Sequence, residues 1–150
     1  MINIKKIISI IIISFFCTTE INAALKDSLF ASVGDKAITR SDIVNEIKAI
    51  LILNGQSFTQ ENANHLEAAA IKSTIQRIVK KIEIEKYDTL KFKQEDLNIE
   101  LNNLANSADV DLDTLKNIFI ANGINFSVIA DHVRTELMWN SLIFKLYNDK

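Results

Sequence analysis

Residues 125–148 read NFSVIADHVRTELMWNSLIFKLYN, and this stretch decides the fold class. Asn125 is a preferred helix-capping residue, and no glycine or proline follows it, so we predict one long helix running to the chain end. At about 100° per residue, one set of apolar side chains shares a side of this helix: Phe126, Ile129, Val133, Leu137 and Phe144. A second set lies on a nearly opposite side: Val128, Trp139, Leu142 and Leu146.

A helix that is apolar on two sides is either buried between layers or presents one side to a partner. Burial is the simpler interpretation, and a client-binding stripe is the alternative. Burial of each large apolar side chain contributes about 1.5–3 kcal/mol, so an exposed second side would favour association. On periodicity alone, the candidate contact residues are Val128, Trp139, Leu142 and Leu146.

Local start and stop signals predict four further helices upstream. Thr39 and Asp42 have the spacing of a capping box at the start of the first helix. Ser57 or Thr59 caps the second helix, and Asp111 or Asp113 caps the fourth. The third helix carries Leu97, Leu101 and Leu104. The first helix ends near Asn54-Gly55 and the fourth at Asn122-Gly123. We expect the second helix to continue to about Tyr87.

Isoleucines predict the buried face of the second helix. A stripe about 100° wide is the width of a core-facing side. The residues that fall within it are Ile71, Ile75, Ile78, Val79 and Ile82. Leu66 and Ile84 fall outside it, so we expect their side chains to point elsewhere.

A short β-hairpin is predicted before the first helix. Residues 30–33 and 37–39 are strand-like, and Gly34-Asp35-Lys36 supplies the turn between them. A two-stranded hairpin is marginal alone, so we expect it to pack on helices. The predicted fold class is therefore mainly α, with about five helices following a short N-terminal β-hairpin.

Residues 1–23 have the layout of a cleavable export signal. Two lysines precede an apolar run over residues 7–16, and Ala23 offers a small side chain at the cut. A helical run of that length spans about 15 Å, half of the roughly 30 Å hydrocarbon core, which favours a cleaved signal over a stable membrane anchor. We expect cleavage after Ala23 or Ala24, a domain over 24–150 and a periplasmic location.

The composition favours long helices and argues against a nucleic-acid-binding protein. The chain is 48% hydrophobic and 24% charged, with no proline and a net charge of −2. The absence of proline suits long helices, because proline removes a backbone donor and blocks the preceding turn. A nucleic-acid partner is not expected, since such proteins usually carry a basic face or cluster.

The sequence offers little catalytic chemistry. No nucleotide-binding, nucleophile-elbow or zinc-protease motif occurs. His132 follows Asp131, but adjacent residues on a helix do not face one another. The acidic run over 109–113 lacks the glycine and the later glutamate of a calcium loop, and caps a helix in our interpretation. We predict no catalytic, cofactor-binding or metal-ligating residue.

Three segments carry a family resemblance: SVGDKAITRSDIVNEI (32–47), AAIKSTIQRIVKKIEIEKYDTLKF (69–92) and DLDTLKNIFIANGINFSVIADHVRTELMWNSL (111–142). In this order and spacing they resemble the N-terminal domain of the SurA family of periplasmic chaperones, over essentially all of residues 24–150. The last segment is the most similar. Its matching positions are Leu112, Leu115, Gly123, Phe126, Ile129, Val133, Arg134 and Glu136.

The resemblance implies an ATP-independent chaperone that binds extended, aromatic-rich segments of unfolded outer-membrane proteins. Family members usually continue into parvulin-type prolyl isomerase domains and a C-terminal segment that completes the helical core, and neither is present in these residues. Lys93 also stands where the family tends to place a serine or threonine cap. The second apolar side of the last helix is then expected to be covered by a second copy, by another chain or by a client.

We therefore expect a non-enzymatic chaperone module. Two alternatives stay open: the N-terminal part of a prolyl isomerase whose catalytic domain is absent from this chain, and an exported helical adaptor with one fixed partner. We expect no isomerase activity from these 150 residues. Aggregation assays with several unrelated clients would separate a chaperone from an adaptor.

Overall fold

The computed structural model describes residues 28–88, 90 and 92–148. Within them the chain forms two strands and then five helices: β1 (Leu29–Val33), β2 (Lys36–Thr39), α1 (Arg40–Leu53), α2 (Gln60–Ile84), α3 (Gln94–Ser107), α4 (Leu112–Ala121) and α5 (Phe126–Asn148). This order confirms the predicted fold class. The predicted export signal over residues 1–23 lies outside the described residues.

The hairpin has a shorter turn than predicted. β1 and β2 are antiparallel, and Val33 pairs with Lys36, which leaves only Gly34 and Asp35 in the loop. Gly34 has a φ of +61°, which a two-residue hairpin loop requires and which glycine adopts without strain. Ile38 of β2 is fully buried against the helices, so the hairpin packs on the bundle as expected.

Side-chain caps fix where the helices begin. The backbone N–H of Thr39 donates to Asp42 at 2.8 Å and that of Asp42 donates to Thr39 at 3.2 Å, which confirms the capping box of α1. Of the alternatives left open, Thr59 caps α2 and Asp111 caps α4. Lys93 has no side-chain oxygen and makes no side-chain capping bond to α3.

Left-handed residues end three of the helices. Gly55 and Gly123 have φ values of +64° and +77°, directly after the asparagines that cap α1 and α4. At the end of α4 the N–H of Ile124 donates to the carbonyl of Phe119 at 3.0 Å, as in a Schellman motif. Asp109 takes the same role after α3 with a φ of +57°. α2 ends at Ile84, three residues before the predicted end.

α1 lies between two apolar clusters. The first joins the hairpin, α1 and α2, and its buried members are Ile38, Ile43, Ile47, Leu51, Ala63 and Ala70. The second joins α1 to the chain from α3 to the start of α5, and its buried members are Ala49, Ala105, Leu115, Phe119, Ile124 and Ile129. Because α1 contributes to both clusters, its position determines how the two halves of the bundle meet.

The buried face of α2 is rotated from the predicted stripe. Ala70 and Thr74 are almost fully buried, whereas Val79 is 49% exposed. Leu66 packs against the first cluster, so the expectation that its side chain points elsewhere was wrong. Ile84 is buried but is not a member of that cluster. Small side chains let helices approach closely. α1 therefore sits over the small residues, and the isoleucines flank that seam instead of forming its centre.

Candidate functional site

α5 packs between α2 and α3, and this placement decides what its two apolar sides can contact. Val128 is half-buried and packs against the second cluster, and Leu142 is fully buried. Trp139 is half-buried, and Leu146 is 39% exposed. The four candidate contact residues therefore do not form one open surface. Leu142 in particular offers no surface to a partner.

Polar contacts hold α5 against α2 next to Trp139. The Nζ atom of Lys80 lies 5.9 Å from the centre of the Trp139 ring, within the range of a cation–π contact. The same Nζ donates to both carboxylate oxygens of Glu136, at 2.7 and 2.5 Å. One turn earlier, Lys81 donates to Asp131. These contacts leave Trp139 covered on the α2 side.

Two aromatic side chains are exposed in the last turns of α5. Phe144 is 71% exposed and Tyr147 is 70% exposed. Residues three apart on a helix are neighbours on its surface, so the two rings share one side. We call this pair the aromatic end of α5. Phe144 belonged to the first predicted side of the helix, so the candidate contact residues did not include it.

A cavity of about 460 Å³ lies between β2, α1, α2 and the first turns of α5. We call it the hairpin cavity. Ala37, Ile78 and Val128 give it an apolar wall, and Asn45 and Ser127 add polar groups. Its volume lies within the range of roughly 300–1,000 Å³ that is usual for binding pockets, and charged and polar side chains outnumber apolar ones in its wall.

A buried ion pair forms one wall of the hairpin cavity. Nη2 of Arg77 lies 2.6 Å from Oε2 of Glu46, and only 13% and 6% of the two side chains are exposed. The hydroxyl of Ser73 donates to Oε1 of Glu46 at 2.7 Å. Glu46 thus accepts hydrogen bonds at both oxygens, which compensates the cost of burying its charge.

His132 completes this polar wall from α5. Its Nδ1 atom lies 3.9 Å from Oε2 of Glu46. The pKa of His132 is lowered from 6.5 to about 4, mainly by burial and next by the charge of Arg77, while the charges of Glu46 and Asp131 oppose the shift. The imidazole is therefore neutral at pH 7.

Thr74 leaves one polar atom unsatisfied at the same cavity. Its side chain lines the cavity wall and is 4% exposed. Its hydroxyl has no hydrogen-bond partner among the described residues. Buried polar atoms are normally paired, so this hydroxyl, which is shielded from the cavity itself, is an exception among the buried groups.

The sequence analysis did not single out Glu46, Ser73 or Arg77, and it set His132 aside. A signal was present for Glu46, because it lies three residues after Ile43 and therefore on the same side of α1. A carboxylate within an apolar stripe indicates a buried partner. Nothing in the sequence indicated that this partner comes from α2.

Among the described residues, no helix is both long and apolar enough to cross a bilayer. Nor do three or more histidine, cysteine, aspartate or glutamate side chains in this part of the chain group closely enough to hold a metal ion. No protein-family model, curated protein or solved structure matches the chain. The aromatic end of α5 and the hairpin cavity are two candidate contact surfaces among the described residues.

Proposed function

We propose that this chain is an ATP-independent periplasmic chaperone module that binds unfolded segments of outer-membrane proteins. One observation carries the proposal: the two rings of the aromatic end, Phe144 and Tyr147, are 71% and 70% exposed on one side of α5. Covering a large apolar side chain contributes about 1.5–3 kcal/mol, so this pair favours contact with another apolar surface.

Aromatic rings suit a chaperone that binds many clients. They bury a large area, and they lose little conformational entropy because each ring has only two side-chain torsions. Stacked and edge-to-face contacts with aromatic residues of a client add to the area term. Unfolded outer-membrane proteins are the client class that the resemblance to the SurA N-terminal domain implies.

The scaffold behind the aromatic end supports the proposal. Leu142 is fully buried one turn before Tyr147, and Lys80 and Lys81 of α2 bond Glu136 and Asp131 of α5. A helix anchored in this way presents its exposed end in one position, which lowers the entropy lost on binding.

The proposal is tested by dilution of a urea-unfolded outer-membrane β-barrel protein into buffer with and without the chain, in the absence of ATP. We expect an equimolar amount of chain to suppress light scattering. A second unfolded client of unrelated sequence separates a chaperone from an adaptor, because an adaptor protects only its own partner. Unchanged scattering with both clients would contradict the proposal. A prolyl isomerase assay on the same sample is expected to give no activity.

A further inference from the structure

We propose that the hairpin cavity is a second client site, which binds a short uncharged stretch of extended polypeptide alongside β2. This inference rests on the proposed chaperone function, because it names a place where a client segment enters the fold. It is carried by the charge balance of the cavity, by the uncharged polar groups of Asn45 and Ser127 in its wall and by the strand at its edge.

The charges that line the cavity cancel. The three positively charged lining residues are Lys36, Arg77 and Lys81, and the three negatively charged ones are Asp42, Glu46 and Asp131. Each cation already has a carboxylate partner, since Arg77 bonds Glu46, Lys81 bonds Asp131 and Lys36 lies 3.1 Å from Glu85. A charged ligand that displaced Arg77 or Glu46 would leave the other member of that pair buried without its counter-charge, which is costly. The Lys36–Glu85 and Lys81–Asp131 pairs are exposed to solvent and add little to this cost. The cavity therefore favours a neutral occupant.

Polar groups in the wall suit an amide backbone. Asn45 and Ser127 line the cavity and offer it an amide and a hydroxyl. A peptide unit carries one donor and one acceptor, so it can bond such groups without adding charge. Ile78 and Val128 contribute apolar surface for the side chains that flank it.

The open edge of β2 would orient an extended peptide along the strand. The sheet formed by the described residues has only two strands, so one edge of β2 has no strand partner there. Lys36 and Ala37 of β2 line the cavity. An extended segment that lies along an open strand edge gains main-chain hydrogen bonds that do not depend on its sequence. This property distinguishes a polypeptide from a small neutral molecule, and it suits a protein with many clients.

The test is a titration of the ¹⁵N-labelled chain with two short capped peptides. One contains only valine, threonine, asparagine and tyrosine, and in the other two central residues are replaced by glutamate and lysine. We expect the neutral peptide to shift the amide signals of β2, Thr74 and Ser127, and the charged peptide to bind more weakly. Equal affinity for the charged peptide, or shifts confined to residues outside the cavity wall, would overturn the inference.

Substitutions at the cavity mouth provide a second test with the same neutral peptide. Ser127 is exposed, and its capping contact with Asn125 uses only its backbone N–H, so Ser127→Phe fills the mouth without removing that bond. We expect this variant and Ala37→Phe to weaken the neutral peptide by about tenfold or more. Asn117→Phe, at an exposed position of α4 outside the cavity, is the matched control and should bind like the unaltered chain.

The aggregation assay separates this inference from the proposed function. If the unaltered chain and Ser127→Phe both suppress aggregation and bind the peptide equally, the cavity site is overturned and the chaperone proposal stands. If the unaltered chain suppresses no aggregation but binds the neutral peptide in the cavity, the chaperone proposal fails and the site stands. Binding of small neutral molecules but not of the peptide would overturn the assignment of a polypeptide ligand.

Discussion

The guanidinium of Arg77 lies 2.6 Å from the carboxylate of Glu46, and this contact ties α2 to α1 beside the hairpin cavity. Both side chains are almost completely buried, so the pair is protected from water and from screening by salt. Ser73 and His132 surround the same carboxylate from α2 and α5. Three helices therefore meet at one charge, which makes Glu46 the residue on which the shape of the cavity depends.

Removal of one member of this pair should destabilise the fold strongly. Glu46→Leu leaves Arg77 buried without its counter-charge, and we expect the free energy of unfolding to fall by about 3–5 kcal/mol. The double variant Glu46→Leu/Arg77→Met removes both charges and should lose much less. Urea unfolding followed by circular dichroism measures both. A double variant that is less stable than Glu46→Leu would show that the unpaired charge of Arg77 does not cause the destabilisation.

The position of His132 predicts a loss of stability in mild acid. The pKa of His132 is 6.5 in the unfolded chain and about 4 in the fold. Between these values the unfolded state binds a proton that the folded state does not, so stability falls as the pH is lowered. Protonation of His132 lowers the free energy of unfolding by about 3 kcal/mol, and most of this loss has occurred when the pH reaches about 4.

The two histidines provide a variant and its control for this pH dependence. His132→Gln should remove most of the slope of unfolding free energy between pH 6.5 and about pH 5, where most carboxylates are still ionised. His65 is exposed on α2, so His65→Gln should leave the slope unchanged. Urea unfolding at a series of pH values gives both slopes. An unchanged slope in His132→Gln would contradict the assignment.

Two leucines of α5 should differ in their contribution to stability, although both belonged to one predicted contact side. Leu142 is fully buried, so Leu142→Ala should cost about 2–5 kcal/mol through lost burial and the cavity left behind. Leu146 is 39% exposed, and Leu146→Ala should cost less than about 1 kcal/mol. Thermal and urea unfolding compare the two, and equal losses would place both side chains in one environment.

Local signals in the sequence were sufficient for the course of the chain. The capping box of Thr39 and Asp42, the turn at Gly34 and the end of α4 at Gly123 each depend on residues within a few positions of one another. These local interactions do not depend on which element packs against the helix. For this reason the order of strands and helices followed from the sequence.

Contacts between helices were less predictable. Glu46 and Arg77 are 31 positions apart, and only the packing of α1 on α2 brings them together. The choice of Ala70 and Thr74 over Val79 for the buried seam also depends on how closely the two helices approach. Periodicity identifies an apolar side but not the element that covers it, so Leu142 was named as a candidate contact residue although burial was the simpler interpretation of its side of the helix.

The aromatic end provides the most direct test of the chaperone proposal. The measurement is light scattering during dilution of an unfolded outer-membrane β-barrel protein, with the unaltered chain and with Phe144→Ser/Tyr147→Ser. The control is Ile99→Ser/Ile120→Ser, which removes side chains that are 57% and 62% exposed on α3 and α4. We expect the unaltered chain and the control to suppress aggregation, and the aromatic variant to lose most of that suppression while its unfolding free energy changes by no more than about 1 kcal/mol. Full suppression by the aromatic variant, or none by the unaltered chain, would contradict the account.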